Sequence, residues 1–200
     1  KVIELIKNMA FRKGMVGKLL ADGIDRAVSE FGPQTKPLSR FIRGIGMPAH
    51  MPTKKPGVGF GYMHGPNLSD HMKLEHDWIA SDDESLSAFG LSVRSAPESL
   101  DAAKIDVAKA TQLYYAAMDC LSLCLFVFGP GNVYNFDELM DMINAATGFS
   151  LSFNELMEIG ERAVQLQRKL FIRFGGADEK FLDFLAEKIP DGPSKGAKID

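Results

Sequence analysis

Apolar residues recur at helical spacing from the first positions of the chain. Val2, Ile3, Leu5, Ile6 and Met9 share one face of a helix with 3.6 residues per turn, and Gly14 can end it. Val16, Leu19 and Leu20, then Ile24, Ala27 and Val28, predict two further short helices closed by Gly32-Pro33. From Pro33 to about Asp77 the periodicity fades and Gly and Pro become dense. Phe41, Ile42, Ile45, Met47, Phe60 and Tyr62 inside this stretch predict a packed loop that lines something.

Helical pattern returns downstream. Ser81 with Glu84 has the spacing of a capping box. Ser99 opens a long pattern in which Ile105, Ala108, Leu113, Ala116 and Ala117 keep helical period. Asn135 with Glu138 starts the next helix, carrying Leu139, Met142, Ile143 and Ala146, and Gly148 stops it. Ser152 with Glu155 is a capping box ahead of Leu156, Ile159, Gly160, Ala163, Leu166, Leu170 and Phe174. A last helix is predicted around Phe181, Leu182 and Leu185. Alternating β-branched runs are missing, so the predicted fold class is all-α.

Composition narrows the setting. The formal charge of −3 offers no basis for nucleic-acid binding or an anionic membrane surface. Leu121 to Phe128 is far too short to span a bilayer. The two cysteines, Cys120 and Cys124, make no disulfide framework, and a reducing cytoplasm fits best. The chain opens on Lys1 inside an amphipathic pattern, with neither an initiator Met nor a signal peptide, and reads as a fragment of a longer protein.

The segment Asp119-Cys120-Leu121-Ser122-Leu123-Cys124 holds the most chemistry. A carboxylate and a thiol five positions apart in apolar surroundings are costly to bury unless something binds them. The bland reading is a buried thiol packing as a small hydrophobe. Farther on come Leu151-Ser152-Phe153-Asn154-Glu155, Gly160-Glu161-Arg162, Gln167-Arg168-Lys169-Leu170-Phe171-Ile172-Arg173-Phe174 and the tail Gly192-Pro193-Ser194-Lys195-Gly196.

This series resembles the C-terminal part of the tungsten-dependent aldehyde:ferredoxin oxidoreductase family. There an Asp-x-x-Gly-Leu-Cys motif precedes a Gly-Glu-Arg helix and a Gly-Pro-x-Lys-Gly tail, in the same order and spacing. The similarity extends upstream through Gly59-Phe60-Gly61-Tyr62 and Asp70-His71. It implies multihelical domains, with residues 1–58 ending a middle domain and 59–200 forming a C-terminal one. It implies a tungsten (or molybdenum) bis-pterin and a [4Fe–4S] cluster in the full-length parent, which would oxidise an aldehyde to a carboxylate. Ferredoxin or a similar carrier would take the electrons. The other partners implied are the remainder of the same chain and, in an oligomer, a second copy as a homodimer.

The resemblance also implies roles, residue by residue. Cys124 stands where the family has the fourth ligand of the cluster, the other three coming from a preceding Cys-x-x-Cys-x-x-x-Cys segment. Cys120 has no family role and reads as a packing residue. Asp119 matches the carboxylate that accepts hydrogen bonds from the pterin, and Leu123 a residue whose backbone touches it. His71 matches an active-site histidine whose neutral-range titration suits proton transfer, with His64 and His76 as neighbours. Lys73 matches a basic residue at the phosphate-bearing part of the cofactor. With one certain cluster ligand, the isolated chain is expected to be inactive.

Two departures stand out. Ser122 occupies the family's Gly position, where Gly permits close backbone approach to a ligand. Arg43-Gly44-Ile45-Gly46-Met47-Pro48-Ala49-His50-Met51-Pro52-Thr53 keeps Arg43, Gly44, Pro48 and Pro52 of a family segment whose Glu, Asp and Arg are replaced by Gly46, Met51 and Thr53. The pocket wall therefore differs from that of the familiar aldehyde oxidisers, which leaves open a branch acting on another substrate, such as an aromatic thioester. The competing expectation is an inert helical packing or interaction domain.

Overall fold

The computed structural model describes residues 1–42, 45–65, 70–99, 101–176, 188 and 195–196. The helix expected around Phe181 to Leu185, the tail from Gly192 to Ser194, and Arg43-Gly44 lie outside the described residues. The fold is all-α, with one two-stranded ribbon of two residues per strand. The chain forms two compact units, residues 1–49 and 50–200.

In the first unit α1 (Val2–Ala10), α2 (Gly14–Ala21) and α3 (Ile24–Phe31) follow one another. Gly14 does not end the first helix; it opens the second, with Lys13 as its N-cap. α2 crosses α1 closely at Gly17, where a Cβ would sit 2.5 Å from the Asn8 carbonyl oxygen. Gly32 follows α3 as expected, and the chain continues into a 3₁₀ helix at Pro33–Leu38. Strands β1 (Phe41–Ile42) and β2 (Ile45–Gly46) pair antiparallel, Phe41 opposite Gly46 and Ile42 opposite Ile45.

The second unit opens with a helix where a loop was expected. α4 (Pro56–His64) is Pro-Gly-Val-Gly-Phe-Gly-Tyr-Met-His, and six of its nine residues are buried. Glycine disfavours an isolated helix by about 1 kcal/mol per residue. Here close packing outweighs that cost. A Cβ on Gly57, Gly59 or Gly61 would lie within 2.5–2.8 Å of Asp77, Pro52 or Leu74 respectively. Pro56 at the first helical position needs no amide partner.

A 3₁₀ helix (Asp77–Ser81) leads into α5 (Asp83–Ala88). The cap of α5 is Asp82, which accepts from the Ser85 amide, rather than Ser81. α6 (Ala102–Cys120) is capped by Asp101 rather than Ser99, whose hydroxyl instead supports Asp101. α7 (Leu125–Phe128) is a single turn. α8 (Phe136–Thr147) and α9 (Phe153–Arg173) start with the capping boxes Asn135/Glu138 and Ser152/Glu155, and Gly148 ends α8 in a left-handed conformation.

The core joins Tyr114, Tyr115, Ala117 and Met118 of α6 to Leu139, Met140 and Ile143 of α8 and Leu156 of α9. Phe89, Phe136 and Phe153 pack edge to face or tilted around Tyr114. α9 reaches α6 at Gly160, where a Cβ would fall 1.9 Å from the Leu113 carbonyl oxygen. The apolar stripe of α9 is buried only in its first half; Leu166, Leu170 and Phe174 are exposed. On α6 Ile105 is exposed and Lys104 is buried, the reverse of what hydropathy predicts.

Candidate functional site

Every second residue after Met72 ties the segment 73–77 to α6. Lys73 Nζ lies 2.6 Å from Asp119 Oδ2. The Tyr115 hydroxyl donates to Glu75 Oε2. Lys104 Nζ lies 3.1 Å from Asp77 Oδ1. Lys104, Tyr115 and Asp119 fall within an arc of about 60° on the helix, so one face of α6 receives the whole segment. His71 and Lys73 are thereby held near the C-terminal end of α6.

Asp119 sits in the last turn of α6, with its side chain 51% exposed. Lys73 is the less exposed partner, at 20%. Neither Asp119 nor Cys124 is buried, which sets aside the bland reading of a thiol packed in the core. The chain turns out of the core after Met118, which removes the desolvation cost. Cys120 is exposed too and is not a packing residue, because it falls on the outer side of that last turn. Both thiols are free.

The turn between Asp119 and Cys124 has a defined geometry. The Leu123 amide donates to the Met118 carbonyl at 3.0 Å, and the Ser122 amide to the Asp119 carbonyl at 3.1 Å. These two bonds, with Ser122 at φ 55°, make a Schellman motif closing α6. Leu123 then packs back onto the core that contains Met118. Glycine is favoured at the left-handed position of this motif. Ser122, whose position was read above only as room for a ligand, is thus the helix stop. Cys124 follows as the N-cap of α7, with its thiol in the open. The Leu123 amide is used inside the turn.

His71 lines a cavity of about 300 Å³ with His50, His76, Glu75, Trp78 and Tyr115. The His50 ring centroid is 4.7 Å from that of His71 and 4.4 Å from that of His76. Burial, helped by the charges of His76 and Lys55, lowers the His50 pKa from the ordinary imidazole value. Burial and Lys55 do the same to His76. Burial raises the Tyr115 pKa, with Glu75 acting in the same direction. Glu75 gathers this corner together: it accepts from Tyr115, from Trp78 Nε1 at 3.2 Å and from the His76 amide at 2.7 Å. His64, considered above beside His71, instead packs its ring on Phe60.

His50 and Tyr115 carried no spacing signal, because His50 meets His71 from 21 residues away and Tyr115 meets Glu75 from 40. Among the described residues no group of three His, Cys, Asp or Glu side chains is placed to hold a metal ion. None of the described helices is long and apolar enough to cross a membrane.

The family model for aldehyde ferredoxin oxidoreductase, domains 2 and 3, matches residues 1–200. The chain is 30% identical over 196 residues to the tungsten-containing aldehyde ferredoxin oxidoreductase of Thermococcus kodakarensis, covering 96% of this chain and 30% of that protein. It is 30% identical over 200 residues to the tungsten-containing aldehyde ferredoxin oxidoreductase of Pyrococcus furiosus, covering 97% and 31%. The chain therefore spans about a third of the length of these curated relatives. No solved structure matches.

Proposed function

Since this chain belongs to the aldehyde ferredoxin oxidoreductase family, over its domains 2 and 3, we propose that it is the C-terminal part of a tungstopterin oxidoreductase. Its parent oxidises an aldehyde to a carboxylate and passes the electrons to ferredoxin. The observation that supports this reading best is the 2.6 Å contact between Lys73 and Asp119. It sets an ammonium and a carboxylate, from positions 46 residues apart, beside the free thiol-bearing turn.

The donor set suits a pterin. A carboxylate accepts two N–H groups of a pyrimidine-like ring, and an ammonium takes a phosphate oxygen. Asp119 and Lys73 are both reachable from solvent and both charged types match. Tungsten, or molybdenum, held between two pterins supplies the two-electron chemistry when bound. Asp119 orients the pterin ring, and Lys73 neutralises its phosphate-bearing arm. Leu123 helps hold the pterin through the turn that it closes. His71 takes or returns the proton at the substrate oxygen, a role worth about 10²–10⁴-fold in rate.

Cys124 ligates a [4Fe–4S] cluster. A cluster of this type needs four thiolates, and the chain holds two cysteines, so the remaining ligands come from elsewhere in the parent. Asp119 and Cys124 are five residues apart, so their Cα atoms lie within about 17 Å even for a stretched chain, and the groups they would hold are neighbours. This reading puts the parent in the cytoplasm, where thiols stay reduced.

The test uses the full-length parent. His71→Asn should retain tungsten and iron while turnover of acetaldehyde with methyl viologen drops by about 10²–10⁴-fold. Cys124→Ala should instead lose iron and electron delivery. Normal turnover in His71→Asn with full metal content would remove His71 from the mechanism.

A further inference from the structure

We propose that His76 is a positioning residue for His71, locked in one neutral tautomer by Lys55 and holding the His71 backbone through its other ring nitrogen. This rests on the reading of His71 as the proton-handling group. Lys55 Nζ lies 2.8 Å from His76 Nδ1. An ammonium has three donors and no acceptor. Nδ1 must therefore accept, and it carries no proton. The ring's single proton is then on Nε2, which lies 3.2 Å from the His71 carbonyl oxygen. A carbonyl oxygen only accepts. Two contacts on opposite sides of the ring thus require the same tautomer.

The surroundings keep that tautomer. A second proton on His76 would point an N–H at the Lys55 ammonium. Burial and the Lys55 charge both hold the ring neutral. Lys55 is fixed in turn, as its amide donates to the Met51 and Pro52 carbonyls at 3.1 Å just ahead of α4. The His76 backbone is pinned by Glu75, which is pinned by Tyr115 of α6. The charged and titratable groups facing His76 are therefore Lys55, His50, His71 and Glu75. His76 has both ring nitrogens engaged, so it is neither a metal ligand nor a proton carrier in this arrangement. Its effect on the reaction passes through His71.

The geometry makes this consequential. A displacement of about 1 Å at a reacting group can cost on the order of 10²-fold in rate. His71 lies two residues ahead of Lys73, the first anchor on α6. The carbonyl bond from His76 stiffens its backbone on the cavity side.

The experiment compares three variants of the full-length, metal-loaded parent, assayed with acetaldehyde and methyl viologen. His76→Leu keeps the bulk and removes both polar ends. His76→Gln keeps an acceptor for Lys55 and a donor for the His71 carbonyl. Lys55→Met removes the tautomer lock while leaving the imidazole. Turnover in His76→Leu should fall by about 10- to 100-fold with little change in KM. His76→Gln should recover most of that loss. Lys55→Met should lower turnover without adding to the His76→Leu effect when the two are combined.

Wild-type turnover in His76→Leu, with His71→Asn still impaired, would overturn the positioning role and leave His71 in place. A Gln variant as slow as the Leu variant, at equal metal content and melting temperature, would overturn the hydrogen-bond pattern. Unimpaired His71→Asn would overturn this proposal together with the reading on which it rests. If His76→Leu fails to fold, Lys55→Met against Lys55→Arg carries the same comparison, with Arg expected to restore turnover.

Discussion

Lys104 and Asp77 form an ion pair at 3.1 Å in which each side chain is only 2% exposed. Asp77 also accepts from the Gly57 amide at 2.8 Å and the Val58 amide at 3.4 Å, at the start of α4. Lys104 donates further to the carbonyls of Asp77 and Pro97. One buried pair thus ties together α4, the 3₁₀ helix and the first turn of α6. The pair is costly to bury, and its surrounding bonds offset that cost.

Removing only one partner should therefore be severe. Lys104→Met leaves an uncompensated buried carboxylate and should cost about 3–5 kcal/mol. Urea unfolding should show a lower midpoint at an unchanged slope. An unchanged midpoint would mean that Asp77 is satisfied by the α4 amides alone.

Ser122 at φ 55° predicts the opposite sign. A side chain in the left-handed region costs about 1 kcal/mol or more relative to Gly. Ser122→Gly should raise stability by about 1 kcal/mol, and Ser122→Val should lower it. The same unfolding assay decides, and a destabilised Gly variant would contradict the Schellman assignment.

Gly160 sits where α9 touches the α6 backbone. Gly160→Ala puts a methyl 1.9 Å from the Leu113 carbonyl oxygen and 2.8 Å from its carbon. Backbone cannot step aside as a flexible side chain does. The substitution should cost about 1–3 kcal/mol or more, despite alanine's better helix propensity. A melting temperature at or above wild type would show that the two helices separate freely.

Acid should weaken the second unit through its histidines. His50, His64 and His76 all have pKa values lowered from 6.5, burial being the first cause for each. In the unfolded chain these rings take up protons near 6.5, whereas the folded rings resist. Stability is therefore complete above about pH 6.5 and declines as pH falls from there toward the lowered folded values. His76→Gln should flatten part of that decline in a pH series of urea midpoints. An identical slope in the variant would show that His76 does not contribute.

Local signals in the sequence were reliable where the physics is local. Asn135/Glu138 and Ser152/Glu155 satisfy each other's backbone within four residues, so their capping boxes could be read without a tertiary partner. α4 could not be read, because its glycines favour helix only against Asp77, Pro52 and Leu74. The cap of α6 is Asp101 rather than Ser99, because the Asp101 carboxylate accepts from the Lys104 amide at 3.0 Å and starts the helix two residues later. Nothing local marks Lys104 as buried, because its partner Asp77 lies 27 residues away. The segment Asp119 to Cys124 was found by its motif. His50 and Tyr115 came to light only when the fold brought distant positions together.

α6 also acts as a ruler. A helix advances about 1.5 Å per residue, so the anchors at Lys104, Tyr115 and Asp119 stand at roughly 0, 16 and 22 Å along one rod. The segment 73–77 is fastened to those three marks in reverse order. Spacing between the histidine cavity and the carboxylate next to the thiol turn is therefore graduated by helix pitch rather than by loop length. Inserting a single residue between Tyr115 and Asp119 would rotate the far mark by about 100° and unhook Lys73 from it.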